Sequence, residues 1–173
     1  MPRARTIGLT YDLREEQQPT PDSPPDYYGE FDSLENIQHL EAAISSLGYE
    51  VRLIGNARKL VAFLAAGERV DLVFNMAEGL YGRSREGQVP AILEAFNIPY
   101  TGSDPMAAGL CLDKAYAKRL WQHHGLCTAR FVVAASTADC AGAAERIGGW
   151  PLFVKPLQDG SSKGIDASSV VHT

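Results

Sequence analysis

Paired cysteines, long apolar runs and a surplus of basic charge are all missing from this sequence, and each shortage removes a class of function. Three cysteines (Cys111, Cys127 and Cys140) lie far apart in 173 residues and form no C-x-x-C pair. That usage fits reduced thiols in a cytosolic protein rather than a disulfide framework. No segment reaches the roughly 18 consecutive apolar residues of a membrane span. The start, MPRARTIGLTYD, has no apolar stretch of signal-peptide type, so no leader is expected. Lys and Arg number 16 against 21 Asp and Glu, a net charge of −5. A general nucleic-acid binder needs a basic face, so neither nucleic acid nor membrane is an expected partner. No G-x-G-x-x-G follows the first apolar run, which disfavours a dinucleotide oxidoreductase, and the order G-x-x-x-x-G-K-[ST] is also absent.

What is present is a globular composition, 45% hydrophobic and 21% charged. Thr6–Tyr11 reads as a short buried strand. Residues 12–31, rich in proline and acid, read as a mobile surface loop. Asp32 or Ser33 opens a helix, with Glu35 placed as in a capping box from Asp32. Leu34, Ile37, Leu40, Ile44 and Leu47 give it an apolar face, and Gly48 closes it. Tyr49–Ile54 is the next strand, Asn56 caps a helix to about Ala66, and Val70–Phe74 is a third strand. A loop over 75–87, a helix marked by Val89, Ile92, Leu93 and Phe96, and a short strand Ile98–Tyr100 follow. The alternation predicts an α/β fold, a small doubly wound parallel sheet over residues 1–103. Ligands of such sheets sit at the carboxyl ends of the strands.

Residues 104–173 differ in texture. Asp113 caps a helix to about His124. Phe131–Ala134 is strand-like, and Ser136 caps a helix to Ile147. Leu152–Lys155 and Ile165–Val171 read as strands flanking a glycine loop. Two helices and three strands make a thin core, so an incomplete α+β unit is expected.

The stretch PLFVKPLQDGSSKGI (151–165) carries the most chemistry. A strand delivers Lys155, and a small-residue loop follows with Gly160, Ser161, Ser162, Lys163 and Gly164. Two glycines allow close backbone approach, two hydroxyls and several N–H groups can donate to oxyanions, and two lysines add positive charge. That combination suits a lid over polyphosphate. Lys114 sits in a first helical turn, where it opposes the helix dipole unless an anion is bound there. The loop NMAEGLYGRSREG (75–87) places Glu78, Arg83, Arg85 and Glu86 at a strand's carboxyl end. Glu35 is either a cap or a carboxylate for a substrate ammonium. His123 and His124 end a helix, where histidine is favoured anyway, and no second ligand group sits at metal spacing.

Taken together, IPYTGSDPMAAGLCLDKAYAKRLWQHHGL (98–126) and WPLFVKPLQDGSSKGI (150–165) resemble the D-alanine–D-alanine ligases of the ATP-grasp superfamily. The matching pieces are PYTGS, DK-x-x-x-K, the helix ending in G-L, FVKP and GSS-x-G, in order over residues 70–165. The resemblance implies a pre-ATP-grasp domain followed by the first half of an ATP-grasp fold. It implies ATP and Mg2+ as cofactors, with the magnesium ligands in a downstream half that no residue here matches. It makes Lys114 and Lys155 the phosphate-contacting lysines and Gly160–Gly164 the closing loop. Ser161 becomes the serine that orients loop and substrate. Glu78 and Gly79 stand where the family has H-G on its substrate side. Glu35 stands loosely for the family's substrate-binding glutamate, because the G-G-x-S-x-E-x-x-V-S signature is absent after the first strand.

The phosphate side is thus kept and the amino-acid side altered. The implied reaction joins an amino acid or other carboxylate to an amine through an acyl phosphate. This chain alone is expected to be inactive, since the magnesium-binding half is absent. A homodimer is one assembly the resemblance carries. The alternative is a non-catalytic nucleotide-binding module or an inert truncated product.

Overall fold

The computed structural model describes residues 5–173. The very start of the sequence, on which the expected absence of a leader partly rests, lies outside the described residues. The chain divides into two compact units, Met1–Gly109 and Leu110–Thr173, each described by itself.

The first unit is built on β1 (Thr6–Thr10), β2 (Glu50–Leu53) and β3 (Leu72–Asn75), all parallel in the order β2-β1-β3. Leu9 lies opposite Leu53 on one side and Phe74 on the other. β1 is buried along its whole length, because it is central and covered on both faces. The chain steps from β1 outward to β2 and then returns past β1 to β3, which is the reversal of a doubly wound sheet. Strand alternation sorts the helices by face. Leu9, Tyr11 and Phe74 pack on Ile37 and Leu40 of α1 (Leu34–Ser46). Val73 and Ile54 pack on Leu60 and Leu64 of α2 (Ala57–Ala65) and on Val89 and Leu93 of α3 (Gln88–Ala95). Gly8 faces this second cluster, where an added Cβ would lie 2.7 Å from Ile54 Cδ1 and 3.3 Å from Val73 Cγ2.

Two expectations for this unit need correction. The strand at Ile98–Tyr100 is reduced to a single parallel bridge between Val73 and Tyr100, because Pro99 has no N–H to extend the ladder. The Asp32–Glu35 capping box does not form. Ser33 is the cap, its Oγ accepting from the Asn36 amide at 3.2 Å, and Glu35 is exposed in the first turn. Residues 12–31 form a largely exposed loop that is tied at its two ends. The Asp32 amide donates to Asp12 O at 3.0 Å, and Arg14 Nε donates to Phe31 O at 2.6 Å. The Tyr27 ring meets Tyr28 and Phe31 edge-on.

The second unit departs further. α4 (Pro105–Leu112), which runs across the division, was not anticipated. Its sequence PMAAGLCL has no helical period, although Asp104 before Pro105 is an N-terminal signal; Asp104 Oδ1 accepts from the Ala107 amide at 2.7 Å. α5 (Lys114–His123) starts at the Asp113 cap as read from sequence. Phe131–Ala134 is irregular, since no described strand pairs with it. The helix expected from Ser136 is broken into a 3-10 turn, Thr137–Cys140, and α6 (Ala143–Ile147), because Gly142 between them is left-handed (φ +66°). The two expected strands shrink to β4 (Leu152–Phe153) and β5 (Val170–Val171), an antiparallel pair.

Leu93, fully buried between α3 and the sheet, sets a test of this packing. Leu93→Ala is expected to destabilise the first unit by about 2–5 kcal/mol, read as a lowered urea midpoint. A loss below about 1 kcal/mol would contradict the packing described.

Candidate functional site

In the second unit, Asp113 joins a helix start to a loop. It is 2% exposed. Its Oδ1 accepts from the amides of Ala115 (3.1 Å) and Tyr116 (3.0 Å), and its Oδ2 accepts from Gln158 Nε2 (3.0 Å). The Lys114 amide donates to Leu157 O at 3.1 Å. These bonds bring Lys114 to the glycine loop, where its ammonium donates to Asp159 O.

The loop itself is a tight turn. The Lys163 amide donates to Gly160 O at 2.9 Å. Both residues between them are left-handed, Ser161 at φ +47° and Ser162 at φ +59°, as a type I′ turn requires. Two L-residues in that region cost roughly 1–2 kcal/mol each, and strain of this kind clusters at ligand clamps. Gly164 (φ +71°) packs so close that an added Cβ would lie 2.5 Å from Pro156 Cγ. Lys163 Nζ is 3.4 Å from Asp159 Oδ1. Ser161 and Ser162 are exposed.

Lys155, also exposed, follows β4 and lies over the Phe153 ring, its Nζ 5.4 Å from the centroid. It neighbours Lys118, whose pKa is lowered by burial and then by the Lys155 charge. Lys114 and Lys118 are four residues apart on α5, so they share one face. The structure therefore brings Lys114 to the loop and Lys155 to Lys118. Lys118 is the second lysine of DK-x-x-x-K, and its four-residue spacing from Lys114 is the sequence signal that marks it. Chemically, the ammonium groups of Lys114, Lys118, Lys155 and Lys163 and the hydroxyls of the strained turn offer donors and positive charge to an anion.

In the first unit, the carboxyl ends of β1 and β3 carry a buried acidic cluster. Asp12 is 2% exposed. Its Oδ2 accepts from the Gly79 amide at 2.9 Å, while its Oδ1 has no hydrogen-bond partner. Burial raises its pKa, and the amides of Gly79 and Glu78 lower it. Glu78 is pushed up to about 7, first by burial and then by the charges of Glu86 and Glu30, with Arg85 opposing. Glu30 accepts from Arg85 Nη2 at 2.8 Å in a buried ion pair. Gly79 is left-handed, and an added Cβ would lie 2.5 Å from Arg85 O; only glycine lets its amide reach Asp12 here. Asp12 was missed as a site residue, since its burial depends on the long-range contact with residue 79. Glu35, expected on the substrate side, is exposed in the first turn of α1.

A doubly wound sheet in one unit, and a lysine-bearing helix with a glycine loop in the next, define a mixed α/β protein. Comparison with known proteins narrows it. No family model matches the chain. It is 38% identical over 133 residues to a D-alanine–D-alanine ligase of Stutzerimonas stutzeri (strain A1501), covering 77% of this chain and 41% of that protein. It is 39% identical over 133 residues to the D-alanine–D-alanine ligase of Pseudomonas entomophila (strain L48), with the same coverage of 77% and 41%. The solved D-alanine–D-alanine ligase from Bacillus anthracis shares the fold at a TM-score of 0.67 and 23% identity, over 98% of this chain and 50% of that one. The VanG D-Ala:D-Ser ligase from Enterococcus faecalis matches at a TM-score of 0.58 and 20% identity, over 92% and 54%. The chain spans 41% of the length of these sequence relatives and about half that of the solved ones. It belongs to the D-alanine–D-alanine ligase-like ATP-grasp family, a family of ATP-dependent ligases.

Two predictions follow from the two sites. Gly164→Ala places a Cβ against Pro156 in a left-handed backbone, and is expected to destabilise the second unit by about 1–3 kcal/mol; thermal unfolding of the variant checks this, and an unchanged midpoint would contradict it. Glu78 holds its proton more tightly folded than unfolded, so the unfolded chain loses that proton first as pH rises. Stability is therefore expected to fall as pH rises from about 4.5 to about 7, and Glu78→Gln is expected to flatten that slope in urea titrations. An identical slope in the variant would refute the assignment.

Proposed function

We propose that this chain supplies the substrate-side domain (residues 1–103) and the first half of the ATP-grasp domain (104–173) of an ATP-dependent carboxylate–amine ligase. The observation that carries this reading is the joining of Lys114 to a strained loop bearing Gly160, Ser161, Ser162, Lys163 and Gly164. Identity to relatives named D-alanine–D-alanine ligase supports the same reading.

ATP, when bound, would supply a transferable phosphoryl group, and Mg2+ would offset part of its negative charge, the protein's cations the rest. Lys114, Lys155, Lys163 and the loop amides hold the phosphates and offset charge that develops during transfer. Ser161 orients the loop against the substrate. A substrate carboxylate takes the phosphoryl group, giving an acyl phosphate and ADP. An amine then attacks the acyl carbon, a tetrahedral intermediate forms, the nitrogen loses a proton to solvent, and the C–O bond to phosphate breaks, leaving a C–N bond and free phosphate. Glu78 and Gly79, and more remotely Glu35, belong to the side that receives the amino-acid or other carboxylate and amine substrates. Magnesium ligands are assigned to a segment outside this chain, which alone does not turn over. A homodimer in the cytoplasm is the assembly and place we assign to the whole enzyme.

A phosphate-release assay tests this. The purified chain is expected to release none with ATP, Mg2+ and amino-acid pairs. A full-length protein containing the chain is expected to release it only with both substrates, and Lys155→Ala there is expected to lower kcat/KM by about 10²–10³-fold without loss of fold. Unchanged turnover in that variant would reject the role of Lys155.

A further inference from the structure

A cleft of about 570 Å³ opens within the second unit, between α5, the irregular segment that follows it and α6. That volume falls in the range of small-molecule sites. Lys114, Lys155 and residues 160–164 do not line it. It is therefore separate from the phosphate side and independent of the ligase reading.

Local sequence builds each wall. Arg119 and Gln122 stand three residues apart on α5, so they share one face. Phe131, Val132 and Val133 supply an apolar wall. Gly142 is left-handed and breaks the chain between the 3-10 turn Thr137–Cys140 and α6. Arg146 reaches back across that break. Its Nη1 donates to Ala141 O at 2.8 Å and its Nη2 to Asp139 O at 2.7 Å. Two backbone carbonyls thus fix the guanidinium, which has five N–H donors and keeps others to spare.

Charge and polarity then select the occupant. The Arg119 guanidinium lies over the Tyr116 ring, 5.7 Å from its centroid, and meets no acid among the described residues. The Gln122 carboxamide has no hydrogen-bond partner among them either. Asp139, the acid in the wall, is already engaged. Its Oδ2 accepts from the Ala135 amide at 3.0 Å, the Ser136 amide at 2.8 Å and Ser136 Oγ at 3.0 Å. The Ser136 hydroxyl, and then those amides, hold its carboxyl below the usual carboxylate range. The lining side chains carry two positive charges against one negative, a surplus that a monoanion balances and a polyphosphate exceeds. A carboxylate matches the fork of a guanidinium with two parallel hydrogen bonds, and the apolar wall calls for hydrocarbon behind it. We propose that this cleft binds a monocarboxylate with an apolar body, the carboxylate held by Arg119 and Arg146 and the body lying against Phe131–Val133.

NMR of the arginine Nε–H groups and backbone amides of the whole chain tests the site. The probe is 3-phenylpropionate. One control, 3-phenylpropanamide, keeps the body and lacks the charge; the other, inorganic phosphate, has charge and no hydrocarbon. Saturable shifts at Arg119, Arg146 and residues 131–133 are expected with the probe, at a Kd of about 1 mM or below, and with neither control. Arg119→Met keeps an apolar stem over Tyr116 and removes the guanidinium. Arg119 is exposed, so the fold is expected to survive the change, and affinity for the probe is expected to fall about tenfold or more. The site would be overturned by the absence of saturable shifts, by equal binding of either control, by shifts centred on residues 160–164, or by undiminished affinity in Arg119→Met.

Discussion

One buried carboxylate, that of Asp113, organises the second unit. One oxygen caps α5 through two amides, and the other takes the Gln158 side chain. Helix start and glycine loop are thereby set against each other, and the backbone bond from Lys114 to Leu157 adds to the link. Helix capping alone is worth about 1 kcal/mol, but the consequence here is positional. Lysine at the first position of a helix is electrostatically unfavourable, and it is held there, its ammonium turned onto the loop at Asp159. Remove Asp113 and both the helix terminus and the loop lose their common anchor.

The first unit answers with the opposite charge. Its central strand is buried on both faces, and the strand reversal around it opens the sheet where β1 and β3 end. The chain fills that opening with carboxylates rather than with the glycine-rich signature of the ligase family. Gly79 is squeezed against Arg85 so that its amide reaches Asp12. The consequence is a deep acid whose second oxygen is bare and a neighbouring glutamate that titrates near neutrality. The lysines around the glycine loop belong to the second unit and this acidic cluster to the first.

Local signals made much of the fold readable from sequence. Three parallel strands, the helices between them and the Asn56 and Asp113 caps follow from periodicity and from residues whose side chains bond the next turn. Signals that depend on partners were not readable. Phe131–Ala134 has strand composition but no described strand beside it. α4 is apolar all round, so its period is silent. Ser33 rather than Asp32 caps α1, a one-residue choice that the Ser33 bond to Asn36 decides. At the site, Lys114 and the 160–164 loop were visible as residue types that serve anions. Lys118 beside Lys155, and Asp12 beneath Gly79, come together only through folding.

The central claim is that the turn at Gly160–Gly164 closes over the phosphates of a nucleotide. Hydrogen exchange of that segment, followed in a full-length protein containing this chain with and without a non-hydrolysable ATP analogue and Mg2+, tests it most directly. Strong slowing of exchange at residues 160–164 once the analogue is bound is the result predicted. Exchange there that stays unchanged while the nucleotide is demonstrably bound would contradict the account.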